Sequence, residues 1–422
     1  MDLTLRKAGP LDCTFVAPPS KSYTHRALIA AALAPGESHV ADPLVSDDTG
    51  VTRNALESMG IPMREWEDGL LVSGRGGSLS CPDGLVIDTG ESGTSMRLLC
   101  SVALLCRRPV TLTGSRRMKE RPVGPLAAAI RALGGEVGFL GREGYPPVRV
   151  SGSLDGGEIA IDAGISSQFV SSILLVAPLA RKDVTVTIGG NVASQSYIDV
   201  TISVMEAFSA MVEREGYRRF HVPAGHGYRP SRYRVEGDYS SASYFFALAP
   251  LCGGRVVVKN LNPRSCQGDR AFLDCLERMG CHVKSGKDWV EVSSDGDIDG
   301  ITVDMTSFPD TVQTLCMVAS KARGPTRILG VGHLRYKESD RPAETARLLS
   351  TLGAGVRVEN DSITIIPRPL HGGEIDPGSD HRTAMSFATL GLATGNLKIR
   401  NAECVSKSFP GFWEQLSKQG LV

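Results

Sequence analysis

One pattern returns six times along the chain and limits what it can fold into. It reads "PSKSYTHRALIAAALAPGESHV", "ESGTSMRLLCSVALLCRRPVTLTG", "ISSQFVSSILLVAPLARKDVTVTIGG", "YSSASYFFALAPLCGGRVVVKNL", "PDTVQTLCMVASKARGPTRILGV" and "DHRTAMSFATLGLATGNLKIRNA". Each time, polar residues open an apolar helix, which gives way to a turn and a β-rich run. Successive starts lie roughly 70 to 75 residues apart, one supersecondary unit per repeat. Solenoid repeats are shorter, usually about 20–45 residues, which argues against a scaffold of stacked repeats.

A second element alternates with the first. "NALESMGIPMR", "AAAIRALGGEVGF", "SVMEAFSAMVERE", "FLDCLERMGCHVK" and "ARLLSTLGAGVRV" each read as an amphipathic helix, a Gly or small stop residue, and a strand. The sixth helix, "FWEQLSKQGLV", ends the chain with no strand after it, whereas "MDLTLRKAGPLDCTFVA" opens the chain as a strand with no helix before it. Residues 1–17 are therefore expected to complete the last unit. Six α/β units divide into three and three: an N-terminal domain over 18–235 and a C-terminal domain made of 1–17 and 236–422. The crossovers fall at "APPS" and in the polar stretch "GHGYRPSRYRVEGD". A chain of 422 residues is also too long for one ordinary core. The first crossover puts Lys21 beside an inter-domain hinge, where ligand clefts commonly form.

Charge narrows the function. Lys plus Arg and Asp plus Glu are each 46, so there is no basic excess for nucleic acid or a membrane surface, and any anion site must be a local concentration of cations. "MDLTLRKAGPLDCTF" has no signal-peptide core and no apolar run is long enough to span a bilayer, so a cytoplasmic location is expected. The ten cysteines form no CxxC pair and are expected to be buried free thiols; the eight histidines show no HxH or HExxH spacing, and no metal is expected.

The helix openings carry the chemistry. Lys21 stands at the start of a helix, where local rules prefer Asp or Glu; a bound anion would account for it. Ser22 and Arg26 share a face. The second opening supplies Gly93, Thr94 and Arg97, the third Ser166, Ser167 and Gln168, the fifth Asp310, the sixth Asp380, His381 and Arg382. Glycine lets backbone N–H groups approach a ligand, and hydroxyls add donors. Three loops add charge: Arg121 before Pro122, a first-turn proline on this reading; Lys337, Glu338, Asp340 and Arg341 within "RYKESDRPAET"; and Lys407 in "CVSKSFPGFWEQL". Arginines suit bidentate holding of carboxylate and phosphate. Asp310 and Glu338, set among these cations, are candidate proton-transfer groups.

Seven of these stretches, in order along the whole chain, resemble the 5-enolpyruvylshikimate-3-phosphate synthase family: "PPSKSYTHRALIAAAL", "ESGTSMR", "RRMKERPVG", "SSQFVSSILL", "YKESDR", "DHRTAMSF" and "KSFPGFW". The resemblance implies a two-domain, inside-out α/β barrel with three βαβαββ units per domain, pseudo-threefold symmetry and an active site in the inter-domain cleft. It implies transfer of the enolpyruvyl group of phosphoenolpyruvate to the 5-hydroxyl of shikimate 3-phosphate, with small-molecule substrates only, no cofactor and a monomeric chain. Lys21, Ser22, Arg26, Ser166, Ser167, Gln168, Ser194, Tyr197, Asp310 and Lys337 look like the shikimate 3-phosphate site. Lys21, Gly93, Arg121, Gln168, Arg341, Arg382 and Lys407 look like the phosphoenolpyruvate clamp. Asp310 would accept the hydroxyl proton, and Glu338 would donate to the methylene carbon, assisted by Lys21 or His381.

Two departures stand out. Glu91-Ser92-Gly93-Thr94 replaces the family's frequent Asn-Ala-Gly-Thr, and His333 stands where Asn is common near the shikimate phosphate. A UDP-N-acetylglucosamine enolpyruvyl transferase would carry a reactive cysteine in the loop "GSRRMKERPVG", which has none. An RNA-terminal phosphate cyclase would need nucleotide-binding features that are absent. A non-catalytic repeat protein that binds anionic metabolites is the alternative from another class.

Overall fold

Helices that are apolar all round belong inside a protein, and six here do. They are α1 (Lys21–Leu33), α2 (Gly93–Val102), α3 (Gln168–Val176), α4 (Tyr239–Phe246), α5 (Val312–Ala319) and α6 (His381–Thr394). The computed structural model describes residues 1–422 and separates into two units, Pro19–Val235 and Met1–Pro18 with Glu236–Val422. The first holds α1 to α3 and the second α4 to α6.

Buried hydroxyls need partners, and these helices supply them to each other. Ser101 and Ser172 lie 2.6 Å apart, joining α2 to α3. Thr314 of α5 is 3.2 Å from Ser243 of α4 and 3.5 Å from Ser386 of α6. Small hydroxylated residues thus let these helices approach closely with their own hydroxyls paired.

Each unit carries three sheets built to one plan. In the second repeat, Val86–Asp88 runs parallel to Val110–Thr113, which pairs antiparallel with Val148–Gly152, itself paired with Gly135–Phe139. The buried helix links the parallel pair, an amphipathic helix follows, and a hairpin closes the βαβαββ unit. Five sheets have four strands and the last has three. The α/β fold with repeated units is as the sequence leads one to expect.

The helix stops follow local chemistry. The helix Asp47–Ser58 ends at Gly60, whose φ of +87° an L-residue resists, and the Ile61 N–H closes on the Leu56 carbonyl at 3.1 Å. In the third repeat the corresponding residue is Ser209, which takes φ +66° while Ala210 N–H reaches the Met205 carbonyl at 2.9 Å. The same closure forms there without glycine.

The two ends of the plan differ from expectation. The segment 1–17 forms two strands, not one. Leu3–Leu5 pairs antiparallel with Leu397–Ile399 and completes the last sheet, but Leu11–Val16 pairs parallel with Gly254–Lys259 in the fourth. Reciprocally, Arg232–Arg234, just ahead of α4, pairs with the strand Pro35–Ala41 that follows α1. The strands preceding α1 and α4 have exchanged places. The thiol expectation also needs correction: Cys81 and Cys106 form a disulfide, brought together where Leu79 bridges Cys106 in parallel, and Cys266 is exposed. Among the free thiols, burial pushes Cys100 up to about 12, an inert state. No helix is long and apolar enough to cross a membrane.

Candidate active site

In the unit Pro19–Val235, α1, α2 and α3 are buried along their length except at the opening turn. The residues that escape full burial are Lys21 and Ser22 of α1, Thr94 of α2 and Gln168 of α3. All four are polar and sit where free N–H groups and the positive end of the helix dipole lie. The exposed part of each core helix is therefore its anion-friendly end.

Side chains tie these ends together. Gln168 accepts from Arg97 Nη1 at 2.8 Å and donates to Thr94 Oγ1 at 3.0 Å, which fixes the orientation of its amide. Arg26 is 1 % exposed; its guanidinium donates to Thr201 Oγ1, the Ser22 carbonyl, Ser171 Oγ and the Tyr197 carbonyl at 2.7–3.4 Å. Ser166 and Ser167 are buried just ahead of α3, and Ser194 is buried with φ +58° ahead of the helix Ser196–Ala207 that carries Tyr197. Lys21 Nζ donates to Asp48 Oδ2 at 2.8 Å. Arg121 is buried and reaches the Glu91 carbonyl at 3.4 Å beside the start of α2. It does not open a helix through Pro122: that helix is Gly124–Ala132, with Pro125 in its first turn. Pro122 follows a short 3₁₀ turn, Met118–Glu120, which has no local signature in the sequence.

The other unit gathers a charge network at the starts of α5 and α6. Asp310 lies in a 3₁₀ turn, Pro309–Thr311, that leads into α5. Asp380 caps α6, accepting from the Arg382 N–H at 3.1 Å. Arg341, at the start of the helix Arg341–Thr351, donates to Asp380 at 2.9 Å, to Glu338 at 2.8 Å and to Asp310 at 3.4 Å. Arg382 donates to Asp310 at 2.6 Å, to Ser240 Oγ at 3.1 Å and to Tyr244 Oη at 3.1 Å. Burial works against the Arg341 charge, yet Asp380, Glu338 and Asp310 together outweigh it and hold its pKa above the usual arginine value. His381 and Lys407 are buried in the same unit, at the start of α6 and in the 3₁₀ helix Ala402–Lys407. Lys337 follows the 3₁₀ helix Gly332–Tyr336 and is partly buried.

His333 sits on that 3₁₀ helix, nearly buried. Burial first, then the Lys337 charge, lowers its pKa to about 3, against the pull of Asp310 and a hydrogen bond to the Gly330 backbone. The folded chain keeps it neutral while the unfolded chain titrates near 6.5. Stability is thus fully present above about pH 6.5 and is lost as pH falls toward 3, by about 2 kcal/mol at pH 5. His333→Asn is expected to shrink the drop in melting temperature between pH 7 and pH 5; an identical drop in both proteins would discount the buried imidazole.

Sequence reasoning missed one partner and under-read two others. Asp48 occupies the first turn of Asp47–Ser58, where a carboxylate is ordinary capping chemistry, so nothing local marked it as the counter-ion of Lys21. Asp380 and Arg97 were visible in the helix openings but had no stated task, and the structure gives them Arg341 and Gln168 to hold.

Sheets repeated on one plan around buried helices, with cations and carboxylates at the helix starts, define an internally repeated α/β protein equipped for small anionic ligands. The model of the EPSP synthase (3-phosphoshikimate 1-carboxyvinyltransferase) family matches residues 5–416. A 3-phosphoshikimate 1-carboxyvinyltransferase of Methanoculleus marisnigri is 58 % identical over 100 % of both chains, and one of Yersinia pestis is 41 % identical over 99 % of this chain and 98 % of its own. The solved EPSP synthase of Acinetobacter baumannii superposes with a TM-score of 0.82 at 28 % identity, covering 100 % of this chain and 98 % of that one. The chain belongs to the EPSP synthase family.

Proposed function

We propose that the chain transfers the enolpyruvyl group of phosphoenolpyruvate to the 5-hydroxyl of shikimate 3-phosphate and releases phosphate, with both groups of side chains acting on one substrate pair. The observation that carries this reading is the placement of the polar helix openings: Lys21, Ser22, Thr94 and Gln168 are the parts of α1 to α3 left incompletely buried, as a site for anionic substrates requires. On this reading Ser22, Arg26, Ser166, Ser167, Ser194, Tyr197 and Lys337 hold shikimate 3-phosphate, and Gln168 touches both substrates. Gly93, Arg121, Arg341, Arg382 and Lys407 hold phosphoenolpyruvate, and Lys21 serves both.

Chemistry then follows in two stages. Asp310 accepts the proton of the 5-hydroxyl as its oxygen attacks C2 of the donor, while Glu338, assisted by Lys21 or His381, delivers a proton to the methylene carbon. Positive charge develops at C2 on the way to a tetrahedral adduct, and carboxylates near it stabilise that charge. Phosphate leaves as a proton returns from the methyl group, and the surrounding cations hold the departing anion. On this reading the chain acts as a monomer, and the charged substrates do not cross a bilayer unaided, which supports a cytoplasmic location. Mixing the chain with shikimate 3-phosphate and phosphoenolpyruvate and following phosphate tests the whole; release only with UDP-N-acetylglucosamine, or with no acceptor, would refute it.

Gly93 gives a sharper check. A Cβ built there lies 2.4 Å from Arg121 Nη2 and 2.6 Å from its Cζ, so Gly93→Ala must push the guanidinium aside. With a charged hydrogen-bond donor displaced, KM for phosphoenolpyruvate is expected to rise about 10- to 100-fold with the fold intact. Glyphosate, an anion expected to compete for the same positions, weakens in parallel. An unchanged KM in a folded variant would remove Arg121 from the donor site.

A further inference from the structure

Lys21 does not stand alone at the start of α1. Its ammonium donates to Asp48 at 2.8 Å, with the two side chains 14 % and 5 % exposed, so the pair is largely shielded from water and salt. At the start of α1 the side chain of Ser20, the N-cap residue, makes no capping bond and the first turn holds no acid. Asp48 comes from another helix, Asp47–Ser58, whose start is fixed by a capping box between Ser46 and Thr49.

That helix is itself pinned between the two candidate helix ends. Thr52 Oγ1 lies 2.8 Å from His25 Nδ1 on α1 and 2.8 Å from Ser95 Oγ on α2, and Ser95 Oγ also reaches the Asp48 carbonyl at 3.3 Å. The carboxylate that faces Lys21 is thus carried on a rigid element registered against both α1 and α2. A four-carbon lysine stem keeps much rotamer freedom unless something fixes its tip. We propose that Asp48 is a positioning residue, which sets the Lys21 ammonium at the mouth of α1 and acts on the reaction only through that lysine. The inference rests on the proposed function in which Lys21 touches the substrates.

A double-mutant cycle separates this from a structural role. Melting temperatures and kcat, the latter from phosphate release over hours where needed, are measured for wild type, Lys21→Met, Asp48→Asn and the double variant. Asp48→Asn is expected to lower kcat about 10- to 100-fold, the cost of a misplaced catalytic group, but to change kcat less than about twofold once Lys21 is already Met. Should Asp48→Asn fail to fold, Asp48→Glu, which keeps the charge but moves it by one methylene, runs the same cycle with the same non-additivity expected. Equal loss in both backgrounds overturns the proposal, as does a silent Asp48→Asn beside a crippled Lys21→Met. A fully active Lys21→Met overturns it too, and in that case the placement of Lys21 on the substrates fails first.

Discussion

Asp310→Asn is expected to lower kcat by about two to four orders of magnitude while the melting temperature changes little. A positioned proton acceptor contributes roughly that factor, and an amide of the same shape cannot take the proton. The fold should survive because Asp310 is among the more accessible members of its network, with a side chain 17 % exposed. Arg382 keeps an acceptor in the amide oxygen, together with the Asp310 carbonyl at 3.2 Å, and Arg341 keeps Glu338 and Asp380. Steady-state phosphate release and calorimetric melting measured on one preparation decide it. A kcat within tenfold of wild type would move the base elsewhere.

Arg341→Met is expected to damage stability and activity together. The arginine is 3 % exposed and serves three carboxylates, of which Asp380 is fully buried and Glu338 is 9 % exposed. Methionine fills much of the volume but leaves buried negative charge without its partner, a loss of about 3–5 kcal/mol. For a unit of this size that lowers the melting temperature by roughly 6–20 °C. Protonating an orphaned carboxylate removes the buried charge, so the gap to wild type should narrow as the pH is lowered. Melting curves from pH 7 to pH 5 check both the size and the trend; a gap that widens toward pH 5 would mean that Arg341 does not neutralise these acids.

Much of this was legible because it is written locally. An apolar helix behind a polar opening shows in a dozen residues, and so does a helix stop such as Gly60. Lys21 was conspicuous because a cation in a first turn breaks a local rule, and Asp310 because it follows Pro309 at a helix start. What stayed hidden has no local signature. Asp48 obeys the rule that Lys21 breaks, so its long-range pairing looked like capping. The exchange of strands before α1 and α4 joins residues 11–16 to 254–259 and 232–234 to 39–41, separations no periodicity can report. Cys81 and Cys106 meet because a parallel bridge at Leu79 brings them together, again a contact made only in three dimensions.

The strand exchange has a consequence for how the molecule is made. Pro19–Val235 can complete its three sheets once Arg232–Arg234 has left the ribosome. Leu11–Val16, synthesised earlier, must wait for Gly254–Lys259, and Leu3–Leu5 for Leu397–Ile399 near the far end. Translation therefore imposes an order of assembly: the leading strands stay unpaired while Pro19–Val235 finishes, Leu11–Val16 settles once Gly254–Lys259 has emerged, and Leu3–Leu5 settles only with Leu397–Ile399.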